Sequence, residues 1–390
     1  YFAIRNIKVL LTVKKVVPST HYDYFRDLPR EDATPAESLY ILEENYQGFN
    51  QYDIGKVFSS TLLNLALKKY IKIEEAPNKS KDNTKITILE NNLNQVQLNS
   101  DEIIIYNFLI TACKNKTKSI FGISGEQTNE NEITMKELKK YINSNSSKVV
   151  SLKSSLDKVI KSKLVNNKIL DLKGIKRRNA NMAGCSVGAF IPFVLVFLLD
   201  NMDFVTNTVN SIGIPWYLLA FAGILLIADF VLISLANKRI SVYTQEGVDE
   251  RDKWIAFKKY MEDFSLLKEK DVPDLALWEK YLVYATAFGI SEKVIKELKI
   301  VYPDFDNYDY NIYPTIFIMS HMDFSSSFRS VSNAMSSSFS SGSGGGGGFS
   351  GGGGRRRRRP EVEEEGKTSF SKPKRDVPFW VIFYQIKRRD

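Results

Sequence analysis

Two stretches decide how the chain is read: MAGCSVGAFIPFVLVFLL, Met182 to Leu199, and IPWYLLAFAGILLIADFVLISL, Ile214 to Leu235. The first has 18 residues and no charge; the second has 22 residues and a single charge, Asp229. As helices at about 1.5 Å per residue they measure roughly 27 and 33 Å, close to the hydrocarbon thickness of a bilayer. They predict a transmembrane helical hairpin over 182–235. Lys173, Lys176, Arg177 and Arg178 precede it and Lys238 and Arg239 follow it, whereas the connector Asp200 to Gly213 carries two aspartates and no cation. The positive-inside rule then places both flanks in the cytoplasm. Within the hairpin, Gly184 and Gly188 are spaced for close helix approach, and antiparallel pairing brings Asp229 to a similar depth. Asp229 has no intramembrane basic partner with which to form a relay, so it is read as a helix-packing hydrogen-bonding group.

Outward on the N-terminal side, Thr34-Pro35-Ala36-Glu37 is a capping box with proline at the first helical position. Asp53 opens a second helix whose apolar positions run through Ile54, Val57, Phe58, Leu62 and Leu65. Tyr70 to Glu74 and Thr84 to Leu89 then alternate like the strands of a ribbon. Helices followed by a ribbon predict a winged-helix-like unit over 20–95. A second such unit is predicted over 96–175, from a helix starting at Ser100, a capping box at Thr134-Met135-Lys136-Glu137, a long helix over 148–164 and a short wing at 165–172. Residues 1–19 are expected to be the end of an earlier membrane segment and a linker.

The long helix is basic. Lys148, Lys153, Lys158, Lys161 and Lys163 lie on it, and Lys173, Lys176, Arg177 and Arg178 continue the run to the hairpin. Beside a bilayer such a cluster attracts anionic headgroups at about 1 kcal/mol per residue. Arginine, the commonest reader of guanine edges, is absent from 148–164, so nucleic acid is the weaker reading. The predicted membrane-surface or anion-binding residues are therefore Lys158, Lys161, Lys163, Lys173, Lys176, Arg177 and Arg178. The net charge of +9 does not widen that reading, because 12 basic and 6 acidic residues between 355 and 390 supply +6 of it. Two cysteines predicted to lie in different environments give no disulfide framework, and two histidines exclude a histidine-rich metal site.

Beyond the hairpin, Trp254, Phe257, Met261 and Phe264 form one helical stripe, and Leu275 to Phe288 predicts another helix, giving a cytoplasmic helical domain over 245–323. Asp304, Asp306, Asn307 and Asp309 start like a calcium loop but lack its sixth-position glycine and twelfth-position glutamate, so 304–323 is expected to be a loop. Residues 324–354 are rich in serine and glycine and are expected to be disordered. From Arg355 the chain switches from glycines to five arginines and then to glutamates. A frame slip in a GGA repeat would produce that pattern, so 355–390 is read as an out-of-frame extension.

The runs Trp254 to Tyr260, Asp263-Phe264-Ser265 and Trp278 to Gly289 resemble the C-terminal region of a family of bacterial predicted membrane proteins, the domain-of-unknown-function 2207 family. Asp23 to Pro29 before Thr34-Pro35-Ala36-Glu37, and Phe58 to Leu65 before Tyr70-Ile71, resemble its middle region, and the glycine-serine stretch resembles its terminus. The resemblance implies an extracytoplasmic β-rich domain and a membrane helix ahead of Tyr1, and it supplies no catalytic residues.

The sequence thus predicts a mainly α integral membrane protein: a transmembrane helical hairpin, two cytoplasmic winged-helix-like α+β units and a C-terminal cytoplasmic helical domain. It is placed as a multi-pass protein of the bacterial cytoplasmic membrane. No nucleophile motif, phosphate-binding loop or metal-ligand set is present, so no enzyme activity, metal or cofactor is expected. The expected role is a scaffold or adaptor for protein partners or a second copy of the chain, working against anionic lipid. The alternatives are a membrane-tethered DNA-binding regulator and a transporter or channel accessory subunit using Asp229.

Overall fold

The computed structural model describes residues 2–14, 16–43, 52–74, 84–89, 97–119, 131–181, 227–228, 231–263, 275–302, 309–321 and 324–343. Helix α1 (Phe2–Thr12) leads into an extended segment, and Thr34 then opens α2 (Pro35–Glu43). The Thr34 hydroxyl accepts from the Glu37 amide at 3.3 Å, and the Glu37 carboxylate accepts from the Thr34 amide at 3.4 Å. This reciprocal cap satisfies two amides that the helix itself leaves free. Asp53 caps α3 (Ile54–Leu67) by accepting from the Gly55 amide at 2.8 Å. α3 ends at Leu67; two residues on, Lys69 takes a left-handed φ of 61°, and the chain turns into β1 (Ile71–Glu74).

β1 pairs antiparallel with β2 (Lys85–Ile88), with Ile71 opposite Ile88 and Ile73 opposite Ile86. After α4 (Ser100–Ser119), the short β3 (Glu132–Thr134) joins the far side of β2, antiparallel, with Ile133 opposite Ile86. Thr134 ends that strand and caps α5 (Met135–Ser144) through a second capping box with Glu137. α6 (Ser146–Asn166) follows, then helical runs over 172–181 (α7) and 231–239 (α8). The chain continues through α9 (Gln245–Glu262), α10 (Leu275–Phe288), α11 (Ser291–Val301), α12 (Pro314–His321) and α13 (Phe324–Ser343).

α3 is the centre of the core. Its Val57, Phe58, Leu62 and Leu65 are fully buried, and α2, α4, α10, α12 and α13 all pack around it. One side is aromatic: Phe257 of α9 meets Tyr281 of α10 edge-on at 5.0 Å, with Trp254 against Tyr284 at 5.5 Å. On another side Ile71, Ile73, Ile86 and Ile133 press the sheet onto the helices.

Four expectations are corrected. Among the described residues no helix is long and apolar enough to cross a membrane, so the fold class is mainly helical with one three-stranded sheet rather than an integral membrane fold. The three longest described helices fail for a physical reason: α4 carries two acidic residues and three lysines, α6 carries five lysines, and α13 is dominated by serine. Most of the expected hairpin (182–226 and 229–230), including Gly184, Gly188 and Asp229, lies outside the described residues. Secondly, the two expected winged-helix units are not separate. β3 comes from the second and pairs with β2 of the first, so both share one sheet and one core. Residues 165–172 form no wing; they close α6 and make a single bridge, Leu170 to Tyr243.

Thirdly, residues 324–343 of the expected disordered stretch are helical. Phe328, Val331, Ala334 and Met335 recur at helical spacing and are buried against α3, α5 and α6. Packing of that stripe overrides the modest helix propensity of serine, and spare hydroxyls bond back one turn, as Ser340 does to the Ser336 carbonyl at 3.0 Å. Fourthly, residues 314–321 of the expected loop form α12. Its first amides are capped from α10: the buried Glu279 carboxylate accepts from Thr315 at 2.9 Å and from Ile316 at 2.8 Å. Residues 344–390, with the expected out-of-frame extension, lie outside the described residues.

Candidate functional site

The segment expected to form the hairpin is bounded by α7 and α8, and the chain clamps their bases together. The Asp171 amide donates to the Val242 carbonyl at 2.8 Å, and the Thr244 amide donates to the Ile169 carbonyl at 3.1 Å. Two glycines allow the strands to lie this close: a Cβ on Gly247 would sit 2.0 Å from the Ile169 carbonyl oxygen, and one on Gly174 would sit 2.2 Å from that of Ser241. The Tyr243 hydroxyl donates to the Ile41 carbonyl at 2.9 Å and so fixes the clamp to α2.

Beyond the clamp, α1, α7 and α8 converge with an inverted polarity. Val9 of α1 packs with Ala236 and Ile240 at the end of α8. Asn181 of α7 donates to Asn237 of α8 at 2.8 Å, both buried. Asn6 of α1 is fully buried, and its amide has no hydrogen-bond partner among the described residues. Apolar side chains of the same helices face outward: Leu11 is 82% exposed, Ile4 73% and Val231 50%. A water-facing helix is built the other way round, with its apolar stripe inward. Around this end stand Lys8, Lys14, Lys173, Lys176, Arg177, Lys238 and Arg239, all exposed.

Of the residues expected to form a basic surface, Lys158, Lys161, Lys173, Lys176 and Arg177 are exposed. Two are placed differently. Arg178 is only 3% exposed and turns into the protein. Lys163 is engaged by Glu37 at 2.5 Å. Lys153, on the same helix, also turns inward, its ammonium 3.6 Å above the Tyr52 ring and 3.5 Å from Asp157; burial, more than any neighbouring charge, lowers its pKa.

Lys163 leads into a second polar cluster that sequence reading missed. The fully buried Glu37 takes Arg30 as well as Lys163, and Arg30 also approaches Asp32 at 3.4 Å and Glu250 at 3.6 Å. Glu102 holds Lys68 at 2.7 Å and accepts from the Asn99 amide at 2.7 Å. Between them Asp101 is buried and accepts from the Thr34 hydroxyl at 2.5 Å. Its pKa is pushed up to about 6, chiefly by burial; the Thr34 hydrogen bond opposes the rise, and the charges of Glu37 and Glu102 add to it. A cavity of about 620 Å³ opens beside Glu102, Lys68 and Tyr284. Each carboxylate here is held by a cation, a hydroxyl or an amide of another element, so the cluster acts as a joint between α2, α4 and α6. Among the described residues no group of histidine, cysteine and carboxylate side chains could hold a metal ion. The clue in the sequence was the capping-box glutamate Glu37; its distant partners, Arg30 and Lys163, had no local signal.

The chain belongs to a family of predicted membrane proteins: the family model for the Predicted membrane protein (DUF2207) C-terminal domain matches residues 21–298, as the resemblance implied. No curated protein and no solved structure matches it.

Proposed function

We propose that this family member is a non-enzymatic adaptor that sits at the cytoplasmic surface of a bacterial membrane and offers its helical core to protein partners. The observation that carries the reading is the end formed by α1, α7 and α8, where exposed apolar side chains are ringed by exposed cations. Lys173, Lys176, Arg177, Lys238 and Arg239 make no ion pair among the described residues. A surface of anionic headgroups supplies their counter-charge, and the exposed Ile4 and Leu11 supply apolar area at the headgroup boundary. Catalysis has no comparable support, because the buried carboxylates are held by partners within the fold.

The test is partition of the protein between buffer and vesicles of phosphatidylcholine with or without phosphatidylglycerol. At about 1 kcal/mol per cation, reversing Lys173, Lys176 and Arg177 to glutamate weakens binding to the anionic vesicles by at least about 3 kcal/mol, more than a hundredfold. Lys158→Glu with Lys161→Glu, on the flank, has a smaller effect and leaves protein partners bound. Unchanged partition of the triple variant would overturn the proposal. So would specific DNA binding that the Lys158 and Lys161 reversals abolish.

A further inference from the structure

We propose that the pocket between the end of α8 and α9 holds the phosphate of an anionic phospholipid headgroup. The inference rests on the membrane-surface reading above and gives that surface one built site. The pocket lies between residues 16–18, which follow α1, the stretch 238–243 and α9. It encloses about 120 Å³, below the roughly 300 Å³ at which small-molecule sites begin, so it takes a charged group and not a whole ligand.

Three cations line it, Lys238, Arg239 and Arg251, against one carboxylate, Asp252. Asp252 is already engaged: it is bonded to the His21 ring at 3.0 Å and accepts from the Tyr22 amide at 2.9 Å. None of the three cations has an ion pair among the described residues. Lys238 and Arg239 are exposed, whereas Arg251 is half-buried and fixed. Its Nε donates to the Ile41 carbonyl at 3.2 Å and its Nη2 to the Leu42 carbonyl at 3.4 Å, both in the last turn of α2. Those oxygens hold the guanidinium plane without cancelling its charge. Nη1 makes no hydrogen bond among the described residues and is not sealed from solvent. A guanidinium anchored on one side and open on the other is pre-organised to pair with two oxygens of a phosphate. Val17, 57% exposed, and Ile255, 41% exposed, line the same pocket. Apolar side chains in water beside a cationic pocket suit an amphiphile, whose glycerol and first methylenes cover them, better than a free phosphate ion.

The test is calorimetric titration of the full chain with dihexanoyl phosphatidylglycerol, kept below its micelle concentration, and with glycerophosphoglycerol, the same headgroup without acyl chains. Saturable binding of the lipid is expected, about tenfold or more tighter than that of the bare headgroup. Arg251→Lys keeps the charge and removes the fork, and should weaken the lipid about tenfold. Lys238→Gln with Arg239→Gln alters only exposed side chains and should weaken it by a similar factor, so the proposal stays testable if circular dichroism shows that Arg251→Lys is unfolded. Partition of the wild-type protein into phosphatidylglycerol vesicles, measured in parallel, separates the two readings. Vesicle binding without saturation by the monomeric lipid, or lipid binding that survives both sets of changes, overturns the pocket and leaves the membrane-surface reading standing. Glycerophosphoglycerol binding as tightly as the lipid also overturns it, by assigning the pocket to a free phosphodiester. Binding to neither vesicles nor monomeric lipid overturns both.

Discussion

Replacing Asp101 with asparagine should stabilise the protein increasingly as pH rises from about 4 to 6, and fully above that. The carboxyl is 2% exposed, and its pKa is pushed from 3.8 to about 6, first by burial and then, against the Thr34 hydrogen bond, by the charges of Glu37 and Glu102. Well below pH 3.8 the group is protonated in folded and unfolded chains alike, and its ionisation costs the fold nothing. As pH rises towards 6 the unfolded chain loses its proton first; above 6 the folded chain bears the whole cost of a buried charge. The gap between 3.8 and about 6 corresponds to roughly 3 kcal/mol of stability present in acid and lost as pH rises through 6. Asparagine keeps an oxygen that accepts from Thr34 and cannot ionise. Urea unfolding of both proteins across pH 4 to 8 should therefore show Asp101→Asn nearly neutral at the acid end. It should be more stable by about 1–3 kcal/mol at the other. The difference between the two curves cancels every titration they share. A pH-independent difference, or a loss of stability at pH 8, would refute the reasoning.

Gly247→Ala should open the pairing of 169–171 with 242–244, because its Cβ would meet a backbone oxygen at 2.0 Å, and cost about 2 kcal/mol or more in urea unfolding. Glu279→Ala removes the cap of α12; a loss of about 2 kcal/mol is expected, with faster amide exchange at Thr315 and Ile316. Val331→Asp puts a charge into the seam between α13 and α3, so limited proteolysis should cut within 324–343 while the α9–α10 aromatic core stays protected.

Where a signal was local, the sequence carried it. Thr34 with Glu37, Thr134 with Glu137, and Asp53 each mark a helix start within their own turn, and all three cap as read. Leu275–Phe288 is bounded as its apolar run suggests. The ribbon of 71–74 and 85–88 was legible from alternation, but β3 was not: three residues ahead of a capping box carry too little pattern, and only pairing with β2 makes them a strand. α13 was hidden because serine composition speaks for solvation while the apolar stripe speaks only through its packing partners. The candidate site was half legible. The cations around α7 and α8 were visible as charge, but the inward turn of Arg178 and the capture of Lys163 by Glu37, 126 positions away, depend on tertiary structure.

The bridge between Leu170 and Tyr243, with its two flanking hydrogen bonds, makes the intervening insert exchangeable. Entry and exit are set side by side by the hydrogen bonds of Asp171 to Val242 and of Thr244 to Ile169, which draw on no residue beyond α7 and α8. Doubling the length of a loop so anchored adds only about 0.6 kcal/mol of closure entropy. Inserts of quite different length or composition can thus be carried on the same base, and one fold can be refitted to different surroundings without renegotiating its interior.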